Sequence, residues 1–369
     1  MQKILKNPIS RRTLLNTAAI GAAAAVASPY IIRSAQAADE EITVLTWETY
    51  SEDAWLEEFG KANNVKMTAV RIGSVDEFFA KLTSGAVQPD VLYIDTSTIP
   101  RLRKMELLAP IDVSRIENAK NISPAIKYQN SNMIDGKLWA LPYNWGPIPL
   151  MYNTEVVKEG FDSWKTLWDP KWKGRVSVAD DSFNTLPMIA LVAGAKNPYQ
   201  LTDAEFTACA ELLKTLRPQI KAMTTGNNDT QTLFGSGEVD IGLCMNPPIV
   251  VELKKAGKPI AYTVPKEGVS SWLDNAILTK KGDRDIVYKF LNAQLSLEWQ
   301  KRFVEFTISP GVFDQKSALA QGVKPELIAN TVMPLLDQPG VWDSLKFFQD
   351  LENTDRRLQL WNDFKAGTL

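Results

Sequence analysis

Strand-like and helix-like stretches alternate along this chain, and that alternation restricts the fold more than any other feature. Ile42–Thr46 is a short apolar run, and Glu52–Lys61 follows with Trp55, Leu56 and Phe59 at helical spacing. Val65–Ile72 reads as a second strand. Ser74 with Glu77 three residues on reads as a capping box for a helix over Val75–Thr83: the hydroxyl takes an orphan N–H and the glutamate reaches back. Asp90–Ile94 is a continuously apolar strand, and a basic helix around Pro100–Met105 comes next. Strands alternating with helices imply a parallel sheet, and such a sheet needs helices on both faces.

The middle of the chain changes character. Leu138–Asn153 is apolar and aromatic, punctuated by Pro142, Gly146, Pro147 and Pro149, and fits extended chain passing from one lobe to another. Trp164, Trp168 and Trp172 are spaced by four, so on a helix they share a face and read as packing. A second series follows: strand 175–179, helices 186–195 and 204–216, strand 239–245, helix 249–256 and strand 260–264. Trp272–Thr279 reads as another extended segment before a mostly helical remainder. The expected architecture is α/β and two-lobed, each lobe a mainly parallel sheet flanked by helices. The ligand cleft lies between lobes, where strand ends and helix N-termini converge. Residues 38–148 with 275–318 are assigned to lobe 1, and 149–274 with 319–369 to lobe 2.

The N-terminus has its own signature. Ser10-Arg11-Arg12-Thr13-Leu14-Leu15 is a twin-arginine pattern, Ala18–Val26 is apolar, and Ala35-Gln36-Ala37 offers a small-residue cleavage site. Residues 1–37 are thus expected to be a cleaved twin-arginine signal peptide that delivers the protein to the periplasm. Its five basic residues (Lys3, Lys6, Arg11, Arg12, Arg33) leave with it and no acid does. The remainder has 36 Lys and Arg against 43 Asp and Glu, a formal charge of −7. That charge argues against nucleic acid or an anionic membrane as partner. The chain has no histidine, which removes Ser-His-Asp and Cys-His catalysis and imidazole ligands for zinc. No cofactor or metal is expected. Cys209 and Cys244 are the only cysteines, and their spacing does not say whether they meet.

With these residues in view, the chain resembles the periplasmic spermidine/putrescine-binding proteins of ABC importers. The resemblance is carried by Thr46-Trp47-Glu48-Thr49-Tyr50, Pro142-Tyr143-Asn144-Trp145-Gly146, Trp168-Asp169-Pro170 through Trp172-Lys173-Gly174, Asp180-Asp181, Ser236-Gly237-Glu238-Val239 and Ser271-Trp272-Leu273-Asp274. It implies a non-enzymatic receptor whose site is a box of aromatic rings with carboxylates at the amine ends. By position, Trp47, Tyr50 and Trp272 match box aromatics, Asp274 the central carboxylate and Asp181 an acid at one end. The pattern departs from the family where Asp95 and Ser97 replace a Ser and a Tyr, Met245 replaces a Trp, Ser309 a Tyr and Asn184 a second acid. These departures imply a small amine-containing solute, such as a putrescine-like diamine or γ-aminobutyrate, rather than full-length spermidine. A carboxylate-bearing ligand needs a donor, for which Arg71, Asn227 and Asn228 are the candidates. The resemblance also implies an inner-membrane ABC permease as partner and a monomeric receptor.

Bland readings compete at each position. Trp47 can cap the first core strand, Asp95 the turn after its strand and Asp181 the next helix. Asp274 is an acid inside an apolar segment, so it needs a partner or solvent. Three other functions stay open at this level: an enzyme using an Asp/Glu pair, a ferric-ion receptor, and a same-fold receptor for thiamine or 2-aminoethylphosphonate. No adjacent tyrosine pair of the kind ferric receptors use is present.

Overall fold

The computed structural model describes residues 40–369, so the leader at 1–37 lies outside the described residues. The opening alternation forms β1 (Glu40–Trp47), α1 (Asp53–Asn63), β2 (Val65–Ile72), α2 (Val75–Thr83), β3 (Val91–Asp95) and α3 (Ile99–Lys104). β1 runs parallel to β2 on one side and β3 on the other. Ile42, Val44 and Leu45 are fully buried on both faces of β1, as continuous apolar runs in parallel sheets require. Ser74 accepts the N–H of Glu77 as expected, but Glu77 reaches Gly73 N at 2.8 Å instead of closing a reciprocal box with Ser74.

β4 (Ala140–Pro147) belongs to this first sheet and β5 (Leu150–Asn153) to a second one, so the chain crosses between them at Ile148-Pro149. The second sheet adds β6 (Val176–Ala179), β7 (Ile220–Thr224), β8 (Ile241–Leu243) and β9 (Ile260–Thr263) in the order β9-β5-β8-β6-β7. It is flanked by α4 (Thr185–Val192), α5 (Asp203–Leu216), α6 (Asn227–Ser236) and α7 (Pro248–Lys255). The chain then returns to the first sheet as β10 (Val269–Leu278), passes through α8 (Asp285–Gln294) and α9 (Leu297–Thr307), and pairs β11 (Leu345–Phe347) alongside β10. The first sheet reads β11-β10-β3-β1-β2, with β4 also on β10. A last helix, α10 (Thr354–Ala366), is tied to the second half where Asp180 accepts from Trp361 Nε1 at 3.2 Å and pairs with Lys365 Nζ at 2.9 Å. The result is two-lobed α/β, as expected. The second crossing bends at Gly268 (φ +95°), where a Cβ would stand 2.7 Å from the Ser344 carbonyl, so only glycine fits.

Three readings change. Trp164, Trp168 and Trp172 sit on two short 3₁₀ turns, Trp164–Trp168 and Pro170–Trp172, not on one helix. Asp169-Pro170 breaks the run, because the residue before a proline avoids helical backbone. Trp164 and Trp172 are nevertheless buried. The boundary at 274/275 falls inside β10, which is one continuous strand of the first sheet; only its register against β4 shifts there. Trp272 and Asp274 therefore stand on the first sheet and not at a crossover. β7 and α6, unexpected from the sequence, occupy 220–236.

One buried acid closes the far end of the first sheet. Asp90 is fully buried and accepts Thr43 N at 2.8 Å, Lys281 Nζ at 3.3 Å and Arg284 Nη2 at 2.9 Å. Asp90→Ala should cost about 2–3 kcal/mol, since the cations left behind are part-exposed. That is a fall in melting temperature of roughly 4–12 °C, read by calorimetry, with ligand affinity of the folded protein unchanged.

Candidate functional site

The C-terminal ends of β1 and β3 and the N-terminal half of β10 meet at one edge of the first sheet. β3 and β10 are antiparallel with Asp95 directly opposite Asp274, so their side chains share a face. Both residues are only 7% exposed. On the other flank of β10, Asn144 lies opposite Asp274 and Gly146 opposite Trp272. Trp272 and Asp274, two apart on a strand, point the same way. The register thus gathers two acids, an amide and an indole on one patch.

Each acid has local hydrogen bonds. Asp274 Oδ2 accepts the Tyr50 hydroxyl at 2.5 Å, and that hydroxyl accepts Asn144 Nδ2 at 3.1 Å. Tyr143 donates its hydroxyl to the Tyr50 carbonyl at 2.8 Å, and Trp299 Nε1 donates to Tyr143 at 3.1 Å. The Tyr50 ring is wedged among Tyr93, Tyr143 and Phe303 at centroid distances of 6.5, 5.4 and 5.5 Å. Asp95 Oδ1 accepts Ser97 N at 2.9 Å. Beneath the pair, Asn275 Nδ2 donates to Thr96 Oγ1 and to the Leu273 carbonyl, while its own carbonyl accepts Asn132 Nδ2. This fully buried network fixes the strand ends.

What the pair lacks is a counter-charge. Among the described residues no lysine or arginine influences either carboxylate. Burial pushes Asp274 up to about 7, and the Asp95 charge adds to it, against the Tyr50 hydrogen bond. Burial likewise raises Asp95, opposed by its Ser97 bonds. Burial foremost, with the Asp274 charge behind it, drives the Tyr50 phenol well above its ordinary range, so it stays a donor. Such a site favours a neutral carboxyl when empty and a carboxylate when a cation arrives.

The expected residues divide into groups. Tyr50, Asp95, Ser97 and Asp274 come together. Tyr50, however, is buried instead of displayed: its ring packs in the core and its hydroxyl orients Asp274. Trp272 is partly buried, its ring covering Gly146, where an added Cβ would meet it at 2.5 Å. With Asn246, Pro247 and Ser309 it lines a narrow crevice. Trp47 is also partly buried and packs on two core clusters, yet its Nε1 is buried with no partner among the described residues. Asp181 and Met245 follow strands β6 and β8 of the other sheet. Asp181 spends Oδ1 on Asn184 N at 2.6 Å and holds Asn184 Nδ2, closing the turn before α4; the N-cap of that helix is Asn184, so Asp181 does not take the capping role that the sequence offered it. Arg71 is paired with Asp53 at 2.7 Å, while Asn227 and Asn228 are exposed at the start of α6. Cys209 and Cys244 are buried free thiols. Asn144 was not among the expected site residues. A polar residue inside the apolar stretch 140–147 is the same signal that marked Asp274.

Comparison with known proteins fits this geometry. The model of the family described as bacterial extracellular solute-binding protein matches residues 54–365. The chain belongs to that family. It is 29% identical over 283 residues to the spermidine/putrescine-binding periplasmic protein of Escherichia coli, spanning 74% of this chain and 78% of that one. It is 25% identical over 329 residues to spermidine/putrescine-binding periplasmic protein 1 of Haemophilus influenzae, spanning 86% and 89%. Among solved structures, the spermidine/putrescine ABC transporter substrate-binding protein PotD of Streptococcus pneumoniae superposes with a TM-score of 0.74 at 20% identity, covering 89% of this chain and all of that one. These relatives bear out the spermidine/putrescine-binding resemblance read from the sequence.

The raised Asp274 makes a prediction about the empty receptor. A carboxyl whose folded pKa exceeds its unfolded one contributes stability in full below the unfolded value, near 3.8, and loses it as pH rises through about 7. Asp274→Asn should therefore raise the melting temperature of ligand-free protein at pH 8 by a few degrees (about 2–4 °C per kcal/mol) and leave it unchanged at pH 4. Thermal melts at both pH values check this.

Proposed function

We propose that the chain is the periplasmic solute receptor of an ABC importer, and that its solute carries a primary ammonium group seated against Asp95 and Asp274. The observation that carries this reading is the buried pair of facing carboxylates with no protein cation beside them among the described residues. An ammonium between them would relieve their mutual repulsion and supply the missing charge. Each charge-assisted hydrogen bond contributes about 1.5–3 kcal/mol, and an indole face adds roughly 0.5–2 kcal/mol. Trp272, two residues before Asp274 on the same face of β10, and Trp47 at the end of β1 are the rings proposed for that role. The names of the spermidine/putrescine-binding relatives support the same class of ligand, and their periplasmic location supports the same compartment. The receptor is non-catalytic: these residues offer charge, hydrogen bonds and ring faces.

Two crossings between the sheets, at 148–149 and 264–268, and the passage at 348–353 from the first sheet to α10, support a hinge. Solute held on the first sheet would be closed over by the strand ends of the second, where Asp181 and Met245 stand. Closure shifts the population toward a form that a membrane permease recognises. In this reading Asp181 releases Asn184 to meet the solute, and Ser97 contributes a hydroxyl.

Calorimetric titration with putrescine, agmatine, γ-aminobutyrate and spermidine tests the reading, using acetate and glucose as controls. At least one amine should bind, and at one hundred times its dissociation constant it adds about 2.7 kcal/mol of stability. Asp274→Asn should weaken it by about tenfold or more, the equivalent of 1.4 kcal/mol. Binding of the controls alone, or an amine affinity indifferent to Asp274→Asn, would sink the assignment.

A further inference from the structure

The acid pair belongs to a row that crosses three adjacent strands. β10 has β3 on one flank and β4 on the other, so Asp95, Asp274 and Asn144 stand side by side. The two ends of the row differ. Asp95 adds a second carboxyl, whereas Asn144 is an amide, 1% exposed, that reaches Asp274 through the Tyr50 hydroxyl.

That hydroxyl has one proton to give. The 2.5 Å contact with Asp274 Oδ2 takes it, so the amide must present its NH₂ to the phenol oxygen, as it does at 3.1 Å. Asn144 Oδ1 is left buried with no partner among the described residues. Turning the amide over would let Oδ1 take the phenol proton at the expense of Asp274. The observed direction gives that proton to the acid.

The other groups packed here are committed elsewhere. Tyr93 gives its hydroxyl to Gln294, and Tyr143 gives its own to the Tyr50 carbonyl. Asp95 accepts from Ser97 N, and among the described residues no lysine or arginine bears on Asp274. The chain from Asn144 through Tyr50 to Asp274 therefore runs in one direction. A neutral Asp274 has no place for its own proton on this contact, because the phenol already donates to it and accepts from Asn144. The contact thus favours the charged carboxylate. Asp274 Oδ1, without a partner among the described residues, is the oxygen left for a solute.

We propose that Asn144 is a positioning residue of the ammonium seat: acting through Tyr50, it keeps Asp274 an acceptor and sets how far amine binding survives as pH falls. This rests on the amine-receptor reading above and adds to it a residue that need not touch the solute.

The test is a double-mutant cycle on the full receptor with Asn144→Leu, Tyr50→Phe and the two combined. Each variant, its folding verified by a thermal melt, is titrated calorimetrically at pH 7.5 and pH 9 with putrescine, agmatine, γ-aminobutyrate and spermidine, in two buffers of different ionisation enthalpy. With Asp274 at about 7, the natural protein should release about one quarter of a proton per amine bound at pH 7.5. Asn144→Leu should tighten the hold of Asp274 on its proton about tenfold, so that about three quarters of a proton is released and affinity falls about threefold. By pH 9 that loss should vanish. Adding Asn144→Leu to Tyr50→Phe should change neither reading. An affinity loss equal at both pH values would mark Asn144 as structural support and overturn the proposal. So would a proton count unmoved by Asn144→Leu, or a shift repeated in full on the Tyr50→Phe background. Should Asn144→Leu not fold, Asn144→Ser, smaller and too short to reach the phenol, carries the same readouts. If none of the four amines binds the natural protein, the amine reading falls and this one with it.

Discussion

Two carboxyl groups held face to face in a buried place are the constraint around which this molecule is arranged. Antiparallel pairing of β3 with β10 sets Asp95 against Asp274 by register alone, and a one-residue slip would send each to the opposite face of the sheet. The neighbouring polar network makes such a slip costly. Asn275, Thr96, Asn132 and the Leu273 carbonyl satisfy one another only in this register. Backbone ladders and buried amides thus fix the cost of ionising both acids at once, and an entering cation removes that cost. The same cost lowers the stability of the empty protein as pH rises through about 7, and a solute that supplies the cation restores it.

The aromatic residues serve that arrangement in two ways. Tyr50, Tyr93, Tyr143, Phe303 and Trp299 are interior: they lock the loop after β1 so that one phenol reaches Asp274. Trp272 is peripheral, laid over Gly146 because nothing larger than hydrogen fits beneath it. Replacing an amine by a neutral solute would leave these rings packed and the acids unmatched. Selectivity for charge therefore resides in Asp95 and Asp274, and selectivity for the remainder of the solute in the walls around them.

Much of this was legible in the sequence. Strand and helix order through α3 followed from apolar runs and one serine cap, and the crossover at Ile148-Pro149 followed from its prolines. Asp274 declared itself as an acid in an apolar strand. Other features required the fold. The stretch at 220–236 hid because α6 buries only Thr230 and Phe234, too little for an apolar period. The Asp95–Asp274 pairing joins residues 179 positions apart and depends on register, which no local pattern reveals. Tyr50 looked displayed because its neighbours are polar, yet the loop turns its ring inward.

Proton counting during amine binding tests the central claim most directly. The amine, protonated in solution, needs a charged Asp274, whose pKa in the empty site is about 7. Calorimetric titration at pH 6 in two buffers of different ionisation enthalpy should reveal release of nearly one proton per solute bound, fading toward zero by pH 8.5. A proton count of zero at both pH values would contradict the account, because the buried carboxylates would then not be where the solute's charge is met.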